Sequence, residues 1–316
     1  MSFSSDVKHE ITQRKLSDAQ VRAQLSGFMH LNASLRISNR NMELQIEISN
    51  PTIAKQMYSL LKARYDVDME LNVLKRQTLN KDNIYRLRVK EKAIAILEDL
   101  GIYDSSGFRK TPYRLIVVQE EYAQSYLAGC FLASGSVNSP NRPNYHLELG
   151  ANTNEMAQFL VELLARFGLT AKITQRRKKP IVYIKVADQI ADFLKIVGAY
   201  NMTMEFEDVR IQRDFKNSLT RLDNCEVANE MKTIKAGNAQ IDAIQRLIEH
   251  NRYSHLDQRL IEVGDLRMKY PEASLNELIE VYYQDTGTKI SKSGLQHRFS
   301  RIIDMANKIE VGESNG

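Results

Sequence analysis

The first two-thirds of this chain read twice, and no other feature constrains its fold as much, because two copies of one unit must bury matching apolar faces. Leu25-Ser26-Gly27, within "QLSGFMHLNASL", recurs as Leu127-Ala128-Gly129 at an offset of 102 residues. The same offset relates "LKARY" at 61–65 to "LLARF" at 163–167. Farther on, "YRLRV" at 85–89 matches "VYIKV" at 182–186 at an offset of 97, which persists from Leu100-Gly101-Ile102-Tyr103 to Val197-Gly198-Ala199-Tyr200. The drop from 102 to 97 is what a hairpin shortened by five residues produces, and loops absorb deletions more readily than strands do.

Each copy reads as helix, strand, helix, two strands, helix, an αβαββα unit. In the first, a helix over about 18–31 leads to "MELQIEIS", whose alternation marks a strand. Asn50-Pro51 opens the next helix, proline suiting a first turn. "VDMELNVLKRQ" and "NIYRLRVK" form a hairpin across Asn80-Lys81-Asp82, and "EKAIAILEDLG" closes the unit with Gly101 as its C-terminal cap. The second copy supplies "YHLELGA", "NEMAQFLVELLARFG", "AKITQRR", "IVYIKVA" and "DQIADFLKIVG" in the same order.

Beyond about Glu205 the strand patterns stop, and "AQIDAIQRLIE" is periodic as a helix. In "SLNELIEVYYQDTGTKISKSGLQHRFSRIIDMANKI", Ser274 and Glu277 have the spacing of a capping box, starting a helix at Leu275. Leu275, Leu278, Ile279 and Tyr282 then form one buried stripe. "QDTGTK" breaks that helix, Ser291 caps a second, and Ile290 with Leu295 makes its hydrophobic staple. Leu295, Phe299, Ile302 and Ala306 lie on one face; Ser293, His297, Ser300 and Arg301 point the opposite way, with Lys292 and Arg298 on the flanks. Four cations and no acid fall between Lys289 and Arg301. This is the pattern of a helix-turn-helix over 274–308, whose second helix would enter the major groove of duplex DNA. The candidate contacts are Ser291, Lys292, Ser293, Gln296, His297, Arg298, Ser300 and Arg301. Arg298 or Arg301 would pair with guanine or bind phosphate, and Ser291 with Lys292 suits phosphate at a helix start. The connection "YYQDTGTKI" is longer than the three or four residues usual for this motif.

Basic residues also mark the repeats. Arg86, Arg88 and Lys90 alternate along one strand, and Lys185 repeats that placement in the second copy, where Tyr183 stands for Arg86. Arg176, Arg177, Lys178 and Lys179 crowd one hairpin tip. Such patches neutralise phosphates or simply solvate a strand face. The net charge of +5 over 316 residues permits a polyanion partner without requiring one. Two cysteines offer neither a disulfide framework nor a ligand cluster, and His250 and His255 lack the companions of a zinc site. No metal or cofactor is expected. No apolar run approaches the roughly 18 residues that span a bilayer, and Asp6 and Glu10 sit where a signal peptide would be apolar. The expectation is a cytoplasmic protein with no membrane partner.

The paired "LSG" and "LAG" segments resemble the motifs of the LAGLIDADG homing-endonuclease family, over roughly 18–200. The resemblance implies two motif helices side by side at a pseudo-twofold axis, a saddle of strands along DNA, and a metal-binding carboxylate ending each motif. Here Asn32 and Ser134 occupy those acid positions. Both are neutral, whereas hard cations such as Mg²⁺ are held by anionic oxygens. The expectation is therefore a chain with no catalytic residues; the alternative is a metal-dependent endonuclease or nickase using displaced carboxylates such as Glu47 and Glu148.

With the helix-turn-helix added, "LAGCFLASGSVNSP", "NPTIAK", "DNCEVANEMKT" and "ASLNELIE…ISKSGLQHRFSRI" make the chain similar to the WhiA family of bacterial proteins. That likeness implies a sporulation-type, nucleoid-associated regulator of transcription that also serves cell division and chromosome segregation. It leaves open a protein partner on the LAGLIDADG-like part. The expected fold is α+β: a duplicated LAGLIDADG-like αβαββα unit forming a saddle, then an all-α helix-turn-helix domain. The repeats fall at 1–110 and 111–204, a helical linker at 205–250, and the helix-turn-helix domain at 251–316.

Overall fold

In the computed structural model, which describes residues 2–38, 41–75 and 83–313, the chain forms two units, Met1–Arg213 and Asp214–Gly316. The first begins with α1 (Phe3–Thr12), capped by Ser2, which buries Phe3, Val7 and Ile11 at helical spacing. Ser17 and Gln20 form a reciprocal capping box that starts α2 (Asp18–Asn32). There follow β1 (Ala33–Ser38), β2 (Asn41–Ile48), α3 (Pro51–Tyr65), β3 (Met69–Leu74), β4 (Ile84–Val89) and α4 (Ala93–Asp99). The Asn50 side chain accepts from the Thr52 and Ile53 amides and fixes the start of α3, and Gly101, at φ +69, ends the α4 segment. A small hairpin, β5 (Tyr103–Asp104) and β6 (Gly107–Phe108), and a 3-10 turn at Arg114–Val117 lead into the second copy. That copy comprises α5 (Glu120–Ser134), β7 (Gly135–Val137), β8 (Leu147–Gly150), α6 (Asn154–Ala165), β9 (Lys172–Arg176), β10 (Lys179–Ile184) and α7 (Ala187–Ile196).

The duplication is plain in the sheets, ordered β1-β2-β4-β3 and β7-β8-β10-β9, all neighbours antiparallel. The α+β class stands, but each copy holds one strand more than its sequence suggests: αββαββα. The added strands, β1 and β7, begin on the residue after a motif helix, where Ala33 and Gly135 turn extended with no turn residue between. Strand β7 is three residues long, too short for alternation to reveal. The second hairpin is the shorter one: β9 and β10 turn at Arg177 and Lys178, both at positive φ (49° and 66°), whereas β3 ends at Leu74 and β4 begins at Ile84. The turn expected at Asn80-Lys81-Asp82 lies outside the described residues.

The motif helices α2 and α5 pack backbone to backbone. A Cβ on Gly27 would sit 2.2 Å from the Tyr126 carbonyl oxygen, and one on Gly129 would sit 2.1 Å from that of Gln24. Gln24, Phe28, Tyr126 and Cys130, beside these glycines, are fully buried, as are Leu25, Met29, Leu127 and Phe131 elsewhere on the two helices. Each large apolar side chain among them contributes about 1.5–3 kcal/mol. His30 lies at the same seam, with Nδ1 3.2 Å from the Tyr126 hydroxyl and Nε2 2.8 Å from the Arg109 carbonyl oxygen. Burial holds its pKa below the ordinary imidazole value. The unfolded chain therefore takes up this proton at a higher pH than the folded one, so stability is lost as pH falls below roughly 6.5. Thermal melts between about pH 7 and 5 should show a steeper fall for the native chain than for His30→Gln; parallel falls would contradict this.

Helix α8 (Tyr200–Glu249) carries the chain from the first unit into the second and contains almost all of 205–250 as one continuous helix. The second unit adds α9 (Gln258–Lys269), α10 (Leu275–Thr286) and α11 (Lys292–Glu313). Its core gathers Ile244 and Leu247 from α8, Leu260 and Val263 from α9, Leu278 and Tyr282 from α10, and Leu295, Phe299, Ile302 and Ala306 from α11. The stripe expected on the last helix is the buried one.

Candidate nucleic-acid interface

In the second unit, the Ser274 hydroxyl accepts from the Glu277 amide and the Glu277 carboxylate accepts from the Ser274 amide, closing the expected capping box. Hydrogen bonds from these groups hold the Glu277 carboxyl below the usual carboxylate range. Helix α10 ends within "QDTGTK", as expected, but three residues into it. Gln284, Asp285 and Thr286 remain helical, the Thr286 hydroxyl bonding back to the Tyr282 carbonyl at 2.7 Å, and only Gly287, at φ +66, ends the helix. The connection expected to be long is thereby reduced to 287–291, close to the turn usual for a helix-turn-helix. The Ser291 hydroxyl accepts from the Gly294 amide at 3.0 Å and caps α11.

Around α11, Ser291, Lys292, Ser293, Gln296, His297, Ser300 and Arg301 are all exposed. The Ser300 hydroxyl is turned back onto the Gln296 carbonyl at 3.0 Å. Arg298 differs from its neighbours: half-buried, it directs Nη1 to the Tyr282 hydroxyl at 3.1 Å, with its guanidinium 5.6 Å from that ring. Arg298 thus braces α11 on α10, while Arg301 has no partner among the described residues. The outward face offers donors and acceptors of the kinds that meet base edges and phosphates.

The saddle cations fare differently in the two copies. Arg86 is bound to Glu47, Nη2 to Oε1 at 2.7 Å, and Lys90 pairs with Glu70. Arg88 is half-buried opposite Gln45 and Glu70. In the second copy Arg176 lies 3.3 Å from Glu148, which His146 also approaches at 3.3 Å. Arg177, Lys178 and Lys185 remain exposed, Lys185 with its ammonium 5.2 Å from the Tyr183 ring. The first sheet therefore presents a network of paired charges, and the less committed cations belong to the second.

Asn32 and Ser134 do come together, lining one cavity of about 510 Å³ with Asn152, Arg176, Arg177 and Lys179. The Ser134 hydroxyl donates to the Gly150 carbonyl at 2.8 Å, and Asn152 donates to the His30 and Leu31 carbonyls, capping the end of α2. Every charged residue lining this cavity is a cation. Among the described residues no cluster of His, Cys, Asp and Glu could hold a metal ion. Glu47 and Glu148, the candidate displaced acids, are both engaged by arginine. No helix among the described residues is long and apolar enough to cross a membrane.

One residue that sequence reading passed over is Arg267, 1% exposed in the second unit, with Nε donating to Gln240 at 2.8 Å and Nη1 to the Ala273 carbonyl at 2.6 Å. The signal was present: Leu260, Val263, Gly264 and Arg267 share one helical face, so a cation lies in an apolar stripe.

Comparison with known proteins assigns both units. The description "WhiA N-terminal LAGLIDADG-like domain" matches residues 18–103, "WhiA LAGLIDADG-like domain" matches 123–216, and "WhiA C-terminal HTH domain" matches 219–306. A protein named "Probable cell division protein WhiA" from Staphylococcus saprophyticus is 39% identical over 313 residues, covering 99% of each chain. The chain belongs to the WhiA family. Its counterpart in Staphylococcus haemolyticus is 40% identical over the same length and coverage. The crystal structure of full-length WhiA from Thermotoga maritima shares the fold, with a TM-score of 0.60 at 22% identity over 98% of this chain and 99% of that one.

Proposed function

We propose that this WhiA-family chain is a non-catalytic DNA-binding protein of bacterial cell division. It engages duplex DNA through the helix-turn-helix at 274–308, with α11 in the major groove. The observation that carries this reading is the outward face of α11: Lys292, Ser293, Gln296, His297 and Arg301 exposed on a helix whose opposite face is locked into the core. The relatives' name, probable cell division protein, supports the cellular role. Chromosome segregation, sporulation-type transcription regulation and a nucleoid-associated cytoplasmic location extend the same reading. Exposed Arg177, Lys178 and Lys185 are the saddle residues best placed to add phosphate contacts.

The test incubates a labelled mixed-sequence duplex with the full chain and Mg²⁺ and resolves the strands on a denaturing gel. Bound but intact DNA is expected. Cleavage that disappears in Glu47→Ala/Glu148→Ala would restore the endonuclease or nickase reading. A protein partner on the LAGLIDADG-like unit is the second reading. A groove of about 970 Å³ beside α6, lined by Val118, Phe159 and Ile173 among others, favours it.

A further inference from the structure

The stretch 223–238, "DNCEVANEMKTIKAGN", is strongly polar and lies wholly within α8. Its Asn229, Lys232, Thr233 and Ala236 fall at i, i+3, i+4 and i+7, one helical face. An apolar stripe at that spacing would pack on a neighbouring helix. This polar one lines a cavity of about 510 Å³ within the second unit. The first turn of α10, at Ser274–Asn276, and Lys292, in the first turn of α11, line the same cavity. Ser274 with Glu277 and Ser291 already satisfy part of these two helix starts, which still present the positive end of the dipole to whatever enters.

A second observation points to the ligand. Arg267 also lines the cavity although it is 1% exposed. All its hydrogen bonds run from Nε and Nη1 to neutral acceptors: the Gln240 side chain and the carbonyls of Tyr270, Pro271 and Ala273. Its Nη2 meets no acceptor among the described residues, and no carboxylate there pairs with the guanidinium. Burial draws its pKa below the ordinary guanidinium value. A buried charge lacking a counter-charge is costly, and an anion in the cavity would supply one. Lys232 and Lys292 likewise have no ionic partner among the described residues.

We propose that this cavity is a phosphate-binding site, formed by Lys232, Lys292 and Arg267, whose ligand is a backbone phosphate of duplex DNA. The identity of the phosphate's source rests on the DNA-binding reading above; the anion chemistry does not. The polar stretch of α8 then belongs to the DNA-binding surface as a backbone clamp beside the start of α11.

Lys232→Gln tests this in the full chain, since the residue is exposed and lies outside the helix-turn-helix. Its melting curve should match that of the native chain. With a labelled duplex, Kd is expected to rise roughly five- to tenfold, equally for unrelated sequences, and the slope of log affinity against log salt to fall by about 0.9. In parallel, inorganic phosphate is titrated into both chains and the melting temperature followed. Unchanged DNA affinity with a phosphate-induced stabilisation confined to the native chain keeps the anion site but overturns its assignment to DNA. No change in Kd, salt slope or phosphate response overturns the proposal entirely. A native chain that binds no DNA, yet is stabilised by phosphate through Lys232, contradicts the DNA-binding reading and leaves the anion site standing.

Discussion

Gly129→Ala is expected to lower the stability of the first unit by about 3 kcal/mol, the upper end of what an inserted methyl costs in a packed core. The added Cβ would lie 2.1 Å from the Gln24 carbonyl oxygen and 2.9 Å from the Phe28 amide nitrogen, and both obstacles are backbone. A flexible side chain could swing away; a helix backbone cannot. Helices α2 and α5 must separate, and Gln24, Phe28, Tyr126 and Cys130 at the crossing lose contacts that now exclude water entirely. Gly27→Ala meets the Tyr126 carbonyl at 2.2 Å and should behave the same way. The sign is diagnostic, because at an open helical position glycine to alanine stabilises by roughly 0.5–1 kcal/mol. Chemical denaturation monitored by circular dichroism reads the effect, and stabilisation by either substitution would refute the close crossing.

The second large effect concerns Arg301. It is exposed and unpartnered among the described residues, so Arg301→Ala should leave the melting curve within roughly 0.5 kcal/mol of the native one. Affinity for a preferred duplex should nevertheless fall by about 1–3 kcal/mol, roughly five- to 150-fold, with relaxed discrimination at one base position. Arg298→Ala should show the opposite profile. It removes the contact with Tyr282, so stability declines while sequence preference changes little. Fluorescence anisotropy over a panel of single-base duplex variants distinguishes the two. Equal sequence preference in native and Arg301→Ala chains would remove Arg301 from base readout.

The duplication, the second helix of each copy and the helix-turn-helix were legible because periodicity and capping are local. Ser274 with Glu277 and the Leu295–Ala306 stripe needed no partner to be recognised. Strands β1 and β7 were not legible, since each follows a helix without punctuation and β7 is shorter than any alternation test can detect. The length of the turn before α11 was misjudged because "QDT" looks like a breaker, yet Thr286 satisfies its hydroxyl within the helix and Gly287 alone reverses the chain. Charge was legible only as a list of cations. That Arg86 is neutralised by Glu47 depends on which strands are neighbours, and that Arg298 folds onto Tyr282 depends on the angle between two helices. The polar stretch at 223–238 gave no local signal of purpose, because its role emerges only when α10 and α11 are set opposite it.

Groove insertion by α11 is tested most directly by comparing duplex affinity of the full chain with that of a chain carrying Gln296→Ala, His297→Ala and Arg301→Ala together. All three side chains are exposed, so the triple variant should fold and melt as the native chain does. Its affinity for duplex DNA is expected to be about a hundredfold weaker at the same salt concentration. Unaltered affinity would contradict the assignment of DNA binding to the outward face of α11.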